Sequence, residues 1–240
     1  MQFGHPGIAE VLATAGFEWI AADCEHGEVD ERDVSALARA VHGRGVAPLV
    51  RVRENDTLAI RRVLDLGATG VIVPLVNTAE EARAAVRAAT YPPDGIRGFA
   101  FHRGNDYGVR FDDYIARASD EIAVVTMVES KEAVENIDEI LAVHGVDGVF
   151  VGPYDLSGSY GMVGRTGDPV ITSALDEVVD ACARAGKAAG SHVVLPDPEA
   201  IAGAVDAGFT FIALGMDDVF LDRGARSALE AARRATASID

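Results

Sequence analysis

Two carboxylates and an imidazole crowd the short segment Asp23-Cys24-Glu25-His26-Gly27, directly after an apolar run that begins at Phe17. That is a dense polar cluster for a loop, although Asp and Glu at such junctions also serve as solvated caps. The next apolar run, Ala47–Val52, contains Arg51, with Arg53 just beyond it. A guanidinium directed into a protein interior needs an anionic partner, which is either a substrate carboxylate or oxyanion or an internal salt bridge. Further on, Glu129 closes the run Ile122–Val128, and Gly152-Pro153-Tyr154-Asp155 follows Gly148–Val151. Carboxylates on consecutive strand ends suit a hard divalent cation that keeps positions open for water and substrate. Without a cation the same two groups suit general acid–base work. An imine mechanism needs a lysine projecting inward from a strand. The chain has only Lys131, which starts a helix, and Lys187, which opens a strand at the wrong end. A metal-stabilised enolate is therefore favoured over an imine.

The elements that must hold these residues alternate along the chain. Strands are expected over Phe17–Asp23, Ala47–Val52, Gly70–Leu75, Ile122–Val128, Gly148–Val151, Ala188–His192 and Thr210–Gly215. Most are continuous apolar runs, the pattern of strands buried on both faces of a parallel sheet. Helical patterns separate them over Asp33–His42, Thr57–Leu66, Thr78–Ala88, Lys131–Val143, Ile171–Ala185 and Pro198–Ala207. Seven strands, each followed by a helix, predict a (β/α)8 TIM barrel forming one domain over residues 1–240. The eighth strand is sought in Gly98–Phe101 or in a truncated first strand ending at Gln2-Phe3. No GxGxxG or GxxxxGK[ST] follows the early strands, which argues against a nucleotide-binding open sheet. In a barrel the strand C-termini build the active site, and the residues above sit there.

Composition narrows the partners. The chain has 38 Asp and Glu against 21 Lys and Arg, a formal charge of −17. Nucleic acid and anionic membrane surfaces are excluded, because binding either needs a basic patch. The acidic surface suits a high-salt cytoplasm, where its self-repulsion is screened. Cys24 and Cys182 give no disulfide framework, and no apolar run approaches the ~18 residues of a membrane span. A cytoplasmic protein is expected. His42 and His144 close helices and read as structural, His5 and His102 sit in irregular segments near Gly, and His192 ends a strand as either a structural or a pocket-lining residue; Trp19 reads as core and Cys24 as an inert thiol.

The segments AGFEWIAADCEHG, PLVRVREND, VLDLGATGVIVPLVNTAEEA, YPPDGIRG, VESKEAVENIDEI and GVDGVFVGPYDLS, in this order and spacing, resemble the HpcH/HpaI aldolase family. The resemblance covers His5 to Asp222. It implies a class II pyruvate aldolase that uses a divalent metal (Mg2+, Mn2+ or Co2+) to cleave a 4-hydroxy-2-oxo acid into pyruvate and an aldehyde. By the same resemblance His26 is the catalytic base, Asp65 its carboxylate partner, and Arg51 the group that binds the pyruvyl oxygen. Glu129 and Asp155 are the metal ligands, and backbone groups across Gly152, Pro153, Tyr154 and Asp155 hold the substrate carboxylate. Asp23 and Glu25 are outer groups holding metal-bound waters, and a homo-oligomer, a hexamer, is implied. The chain departs from the family pattern at Met127, where a Gln is frequent, in the segment FAFHRGNDYG, and before GHPG, where only Met1-Gln2-Phe3 stand in for a strand. Two other readings are a lyase acting on a CoA thioester, which the scarcity of cations near the strand ends disfavours, and a catalytically silent metal-binding barrel.

Overall fold

Residues 1–237 are described by the structure, a computed structural model; the one-domain reading over 1–240 extends past them at its last three positions. The strands are β1 (Trp19–Asp23), β2 (Ala47–Arg51), β3 (Gly70–Val73), β4 (Ala123–Val128), β5 (Gly148–Val151), β6 (Ala188–Val193) and β7 (Phe211–Leu214). They pair in chain order, all parallel, in one seven-stranded sheet. The helices are α1 (Pro6–Ala15), α2 (Glu31–Val41), α3 (Thr57–Asp65), α4 (Ala79–Ala89), α5 (Phe111–Glu121), α6 (Lys131–Glu135), α7 (Ile137–Leu141), α8 (Pro153–Ser159), α9 (Pro169–Ala185), α10 (Pro198–Asp206) and α11 (Asp217–Thr236).

Local chemistry sets the chain's direction at each strand end. Asp30 and Thr78 close capping boxes at the starts of α2 and α4, and Asp56, Ser130, Asp168 and Asp197 cap four more helices through side-chain oxygens. Each cap satisfies backbone N–H groups that the first helical turn leaves without partners. The main core lies between sheet and helices and is built from small and β-branched side chains such as Val50, Ile60, Val71, Ala82, Val134 and Val149. A second, smaller cluster of Ile72, Val125, Met127 and Phe150 lies on the other face, with Ala21, Phe211 and Ala213 against it. The sheet curls around this inner cluster. Trp19 of β1 stacks on Phe211 of β7 at 4.4 Å between ring centroids, although the two strands are not paired.

Seven of the eight strands expected for a barrel pair in order, and among the described residues neither candidate for the eighth forms a strand at this seam. Gly98–Phe101 is no strand; it is irregular, with Phe99 stacked on Tyr91 at 5.1 Å and the Ala100 carbonyl accepting from Asn105. Met1–Phe3 forms no strand either, but makes one rung against β1. The Met1 amine donates to the Ala21 carbonyl, and the Asp23 N–H donates to the Met1 carbonyl at 3.0 Å. Below that rung the seam between β1 and β7 encloses a cavity of about 460 Å³ lined by Trp19, Ile20, Ile212, Leu214 and Phe220. The helix expected over Lys131–Val143 breaks at Asn136, whose side-chain amide donates to the Asn77 carbonyl at 2.9 Å. No helix among the described residues is long and apolar enough to cross a membrane.

Candidate active site

Asp23 and Arg51 end β1 and β2 and are direct partners in the ladder between them. In-register residues of neighbouring strands face the same way, so the two side chains meet. Arg51 donates from Nε to Asp23 Oδ1 at 2.9 Å and from Nη2 to Asp23 Oδ2 at 2.6 Å, a two-point pair. Asp23 also accepts from the backbone N–H groups of Glu25 and His26 and from Gln2 Nε2. Burial pushes the Asp23 carboxyl up, but the hydrogen bonds and charge of Arg51 outweigh it and hold the group below its ordinary value. Burial likewise lowers the Arg51 guanidinium, and the Asp23 hydrogen bond together with the charges of Asp23, Glu25 and Glu129 lifts it above its usual value.

Glu25 lies on the other side of Arg51, with Oε2 3.1 Å from Nη1. The approach lies off the hydrogen-bond direction, so this buried oxygen remains without a hydrogen-bond partner. Burial first, and the neighbouring Asp23 and Asp155 charges after it, raise the Glu25 carboxyl despite Arg51 and His26. His26 is exposed on the same loop, its Nε2 3.9 Å from Glu25 Oε2.

Glu129 follows β4, where Val128 is in register with Val151 of β5, so Glu129 and Gly152 emerge side by side. Glu129 Oε1 accepts from the Leu75 N–H at 2.7 Å, and among the described residues no hydrogen bond engages Oε2. A methyl placed on Gly152 would lie 3.2 Å from Glu129 Oε2 and 3.8 Å from Asp155 Oδ2. The missing side chain thus leaves a cradle on which two carboxylate oxygens converge. Burial raises the Glu129 carboxyl, and the Glu25 and Asp155 charges add to the effect. Glu25, Glu129 and the exposed Asp155 thus repel one another at the strand ends, an electrostatic arrangement that a cation relieves.

The residues fit a divalent cation. Among the described residues no hydrogen-bond or ion-pair partner engages the Asp155 carboxylate, and the Glu25 Oε2 orphan lies alongside. No group of three or more His, Cys, Asp and Glu side chains among the described residues is gathered for a metal. The pair Glu129 and Asp155 therefore suits an oxygen-coordinated cation completed by water or substrate, as two-carboxylate sites do. Beside the cradle, α8 starts at Pro153, and the N–H groups of Tyr154 and Asp155 make no backbone hydrogen bond.

Asp23 gives both carboxylate oxygens to Arg51, Gln2 and two backbone N–H groups, whereas Glu25 pairs with Arg51 by charge and keeps Oε2 without a hydrogen bond. Asp65 is not near His26. It ends α3, which runs back from the C-terminal ends of the strands to their N-terminal ends, whereas His26 follows β1 at the C-terminal ends. The Asp65 carboxylate instead accepts from Arg97 at 2.8 Å and lies 3.3 Å from His102 Nε2. Arg97 is fully buried, with Tyr91 and Tyr114 rings 4.7 and 5.4 Å from its guanidinium carbon. The structure brings together Asp23, Glu25, Arg51, Glu129, Gly152 and Asp155, and sets His26 at their edge. Leu75 was not foreseen, since its contribution is a backbone amide and no side-chain type announces it. Burial pushes the Cys24 thiol up to about 11, in keeping with an inert cysteine. His192 Nε2 lies 3.0 Å from the Gly215 carbonyl, and the residue lines the same cavity as Asp23 and Arg51.

A curled parallel α/β sheet with acidic residues gathered at its strand C-termini defines an α/β protein with an enzyme-type site. The family model for HpcH/HpaI aldolase/citrate lyase matches residues 2–222. The chain is 43% identical to a hydroxypyruvate/pyruvate aldolase of Deinococcus radiodurans over 95% of this chain and 82% of that protein. It is 39% identical to a 4-hydroxy-2-oxo-heptane-1,7-dioate aldolase of Klebsiella pneumoniae over 91% of this chain and 82% of that one. A crystal structure of a family protein from Burkholderia cenocepacia superposes with a TM-score of 0.92 at 35% identity, covering 97% of this chain and 92% of that one. The chain belongs to the HpcH/HpaI aldolase/citrate lyase family.

Proposed function

We propose that the chain is a divalent-cation-dependent pyruvate aldolase, which reversibly cleaves a 4-hydroxy-2-oxo acid to pyruvate and an aldehyde. The observation that carries this reading is the convergence of Glu129 Oε2 and Asp155 Oδ2 on the bare face of Gly152. The names of the relatives agree with it. A cation held by Glu129 and Asp155 supplies Lewis-acid polarisation of the 2-oxo acid. The protein's own groups do the rest. The free N–H groups of Tyr154 and Asp155 bind the substrate carboxylate. Arg51, fixed by Asp23, presents charge to the oxygen on which the electron pair collects when the C3–C4 bond breaks. That charge is pre-oriented, so little reorganisation opposes the step. His26 takes the proton from the C4 hydroxyl, and its exposure lets it exchange that proton with water.

Within one chain Asp65 lies at the opposite face from His26, so the pairing implied by the family resemblance needs a second copy of the chain. A homo-oligomer, a cytoplasmic location, tolerance of high salt and closure of the curled sheet into a full barrel belong to the same proposal. The test of substrate class is aldol addition of pyruvate and of hydroxypyruvate to a panel of aldehydes, read by product formation. Turnover with at least one aldehyde is expected. No addition with any aldehyde, alongside cleavage of a CoA thioester, would replace the reading with the CoA lyase alternative.

A further inference from the structure

The turn that leaves β3 is strained, and packing does not explain why. Leu75 has φ +55°, a left-handed backbone that costs a residue bearing a Cβ about 1–3 kcal/mol. Its side chain is 63% exposed, so burial does not offset the strain. What the conformation sets is the direction of one N–H, which meets Glu129 Oε1 at 2.7 Å.

Asn77 braces the same turn from several sides. Its Nδ2 donates to the Leu75 carbonyl at 3.4 Å, its backbone N–H donates to Glu81 Oε2 at 2.7 Å, and its carbonyl accepts from Asn136 Nδ2 at 2.9 Å. Its Oδ1 accepts from the hydroxyl of Ser130, the residue next to Glu129. The turn after β3 is thus tied to Glu129 itself through Leu75 and to the chain just after it through Asn77. With Oε1 engaged, the carboxylate has one orientation, and in it Oε2 faces the cradle at Gly152 and Asp155 Oδ2.

We infer that the strained Leu75 turn, braced by Asn77, is a positioning device that fixes Glu129 in its cation-binding orientation. This rests on the reading of Glu129 and Asp155 as the cation pair. Leu75 and Asn77 touch no reacting atom and act only through Glu129. The Leu75 side chain is incidental to the device; its amide is the working part.

The test is Mn2+ binding to the full chain without substrate, followed by electron paramagnetic resonance, with Tm measured alongside. Two variants isolate the device. Replacing Leu75 by its α-hydroxy acid turns the amide into an ester, which removes the N–H and keeps the side chain. Asn77→Ala removes the brace and keeps the amide. A hydrogen bond to a charged group is strong enough that the ester is expected to raise the Mn2+ Kd about tenfold or more. Asn77→Ala is expected to raise it several-fold. Glu129→Gln is expected to abolish binding. A turn that serves only the fold would lower Tm in both variants and leave Kd as it was, which overturns the inference. If the ester does not fold, the Asn77→Ala Kd decides alone. Absence of Mn2+ binding by the unmodified protein removes the cation reading and the inference with it, an outcome distinct from normal binding that neither variant alters.

Discussion

Substituting Gly152 by Ala puts a single methyl into the space on which the cation reading depends. Gly152 has φ −108°, a conformation open to any residue, so backbone strain is no obstacle. The new Cβ would meet Glu129 Cβ at 3.1 Å and Glu129 Oε2 at 3.2 Å, with Asp155 Oδ2 at 3.8 Å. Those first two contacts are too tight by a few tenths of an ångström, so the Glu129 side chain must shift from Cβ outward. Loss of glycine's unfolded-state freedom stabilises the variant by about 0.4–1 kcal/mol, which offsets much of the packing cost. For a chain of this size a net change below 1 kcal/mol moves Tm by no more than about 2–4 °C. Catalysis has no such offset, because the methyl fills the cradle and turns Oε2 away from Asp155. Misplacement of about 1 Å in a reacting constellation costs on the order of 100-fold, or about 2.7 kcal/mol at 1.36 kcal/mol per decade. The assay is pyruvate release coupled to lactate dehydrogenase, with kcat/KM measured at saturating Mn2+ and Tm recorded on the same preparation. A fall of about 100-fold with Tm nearly unchanged is expected; kcat/KM within a factor of two of the parent would refute the cradle as the cation site.

Three further outcomes follow from the same contacts. Arg51→Ala leaves Asp23 and Glu25 facing each other in a partly buried space, so it should lower stability by about 2–3 kcal/mol, after discounting the buried-pair cost for partial exposure. Turnover should fall by orders of magnitude, and a variant with normal Tm in denaturation scans would contradict the role of the Asp23 pair. Asp65→Asn deprives the fully buried Arg97 of its only carboxylate partner among the described residues and should cost about 3 kcal/mol; an unchanged Tm would show that Tyr91 and Tyr114 suffice. Burial lowers the His102 imidazole below its ordinary 6.5. The unfolded chain therefore takes up a proton at higher pH than the folded one, and stability falls as pH drops through 6.5 until the folded-state value is passed. His102→Gln should flatten that part of a Tm against pH profile, and an unaltered slope would exclude His102 as its source.

Much of the fold was legible because strands buried on two faces leave continuous apolar runs. Gly148–Val151 matches the sequence expectation residue for residue, and the other six strands differ by one or two residues at their ends. Helix starts were readable where a cap marks them, as at Thr78 and Ser130. Neither the α6–α7 break nor the strained Leu75 turn was readable, because the first depends on Asn136 reaching Asn77 and the second on the Leu75 amide reaching Glu129. In the site, Arg51, Glu129 and Asp155 stood out as polar residues ending apolar runs. Residue type alone could not say that Asp23 and Glu25 serve Arg51, since that follows from the in-register pairing of β1 with β2. The contacts of Asp65 were not readable: within one chain the end of α3 puts it at the other end of the strands from His26, and its partners Arg97 and His102 flank Gly98–Phe101, which the sequence offered as a strand.

The most direct measurement is pyruvate release from a 4-hydroxy-2-oxo acid before and after exhaustive chelation, followed by stepwise return of Mn2+. Activity should vanish on chelation and return with Mn2+ in the parent, and stay absent at every Mn2+ concentration in Glu129→Gln. Pyruvate release that survives chelation, or full recovery in Glu129→Gln, would contradict a cation held by Glu129 and Asp155.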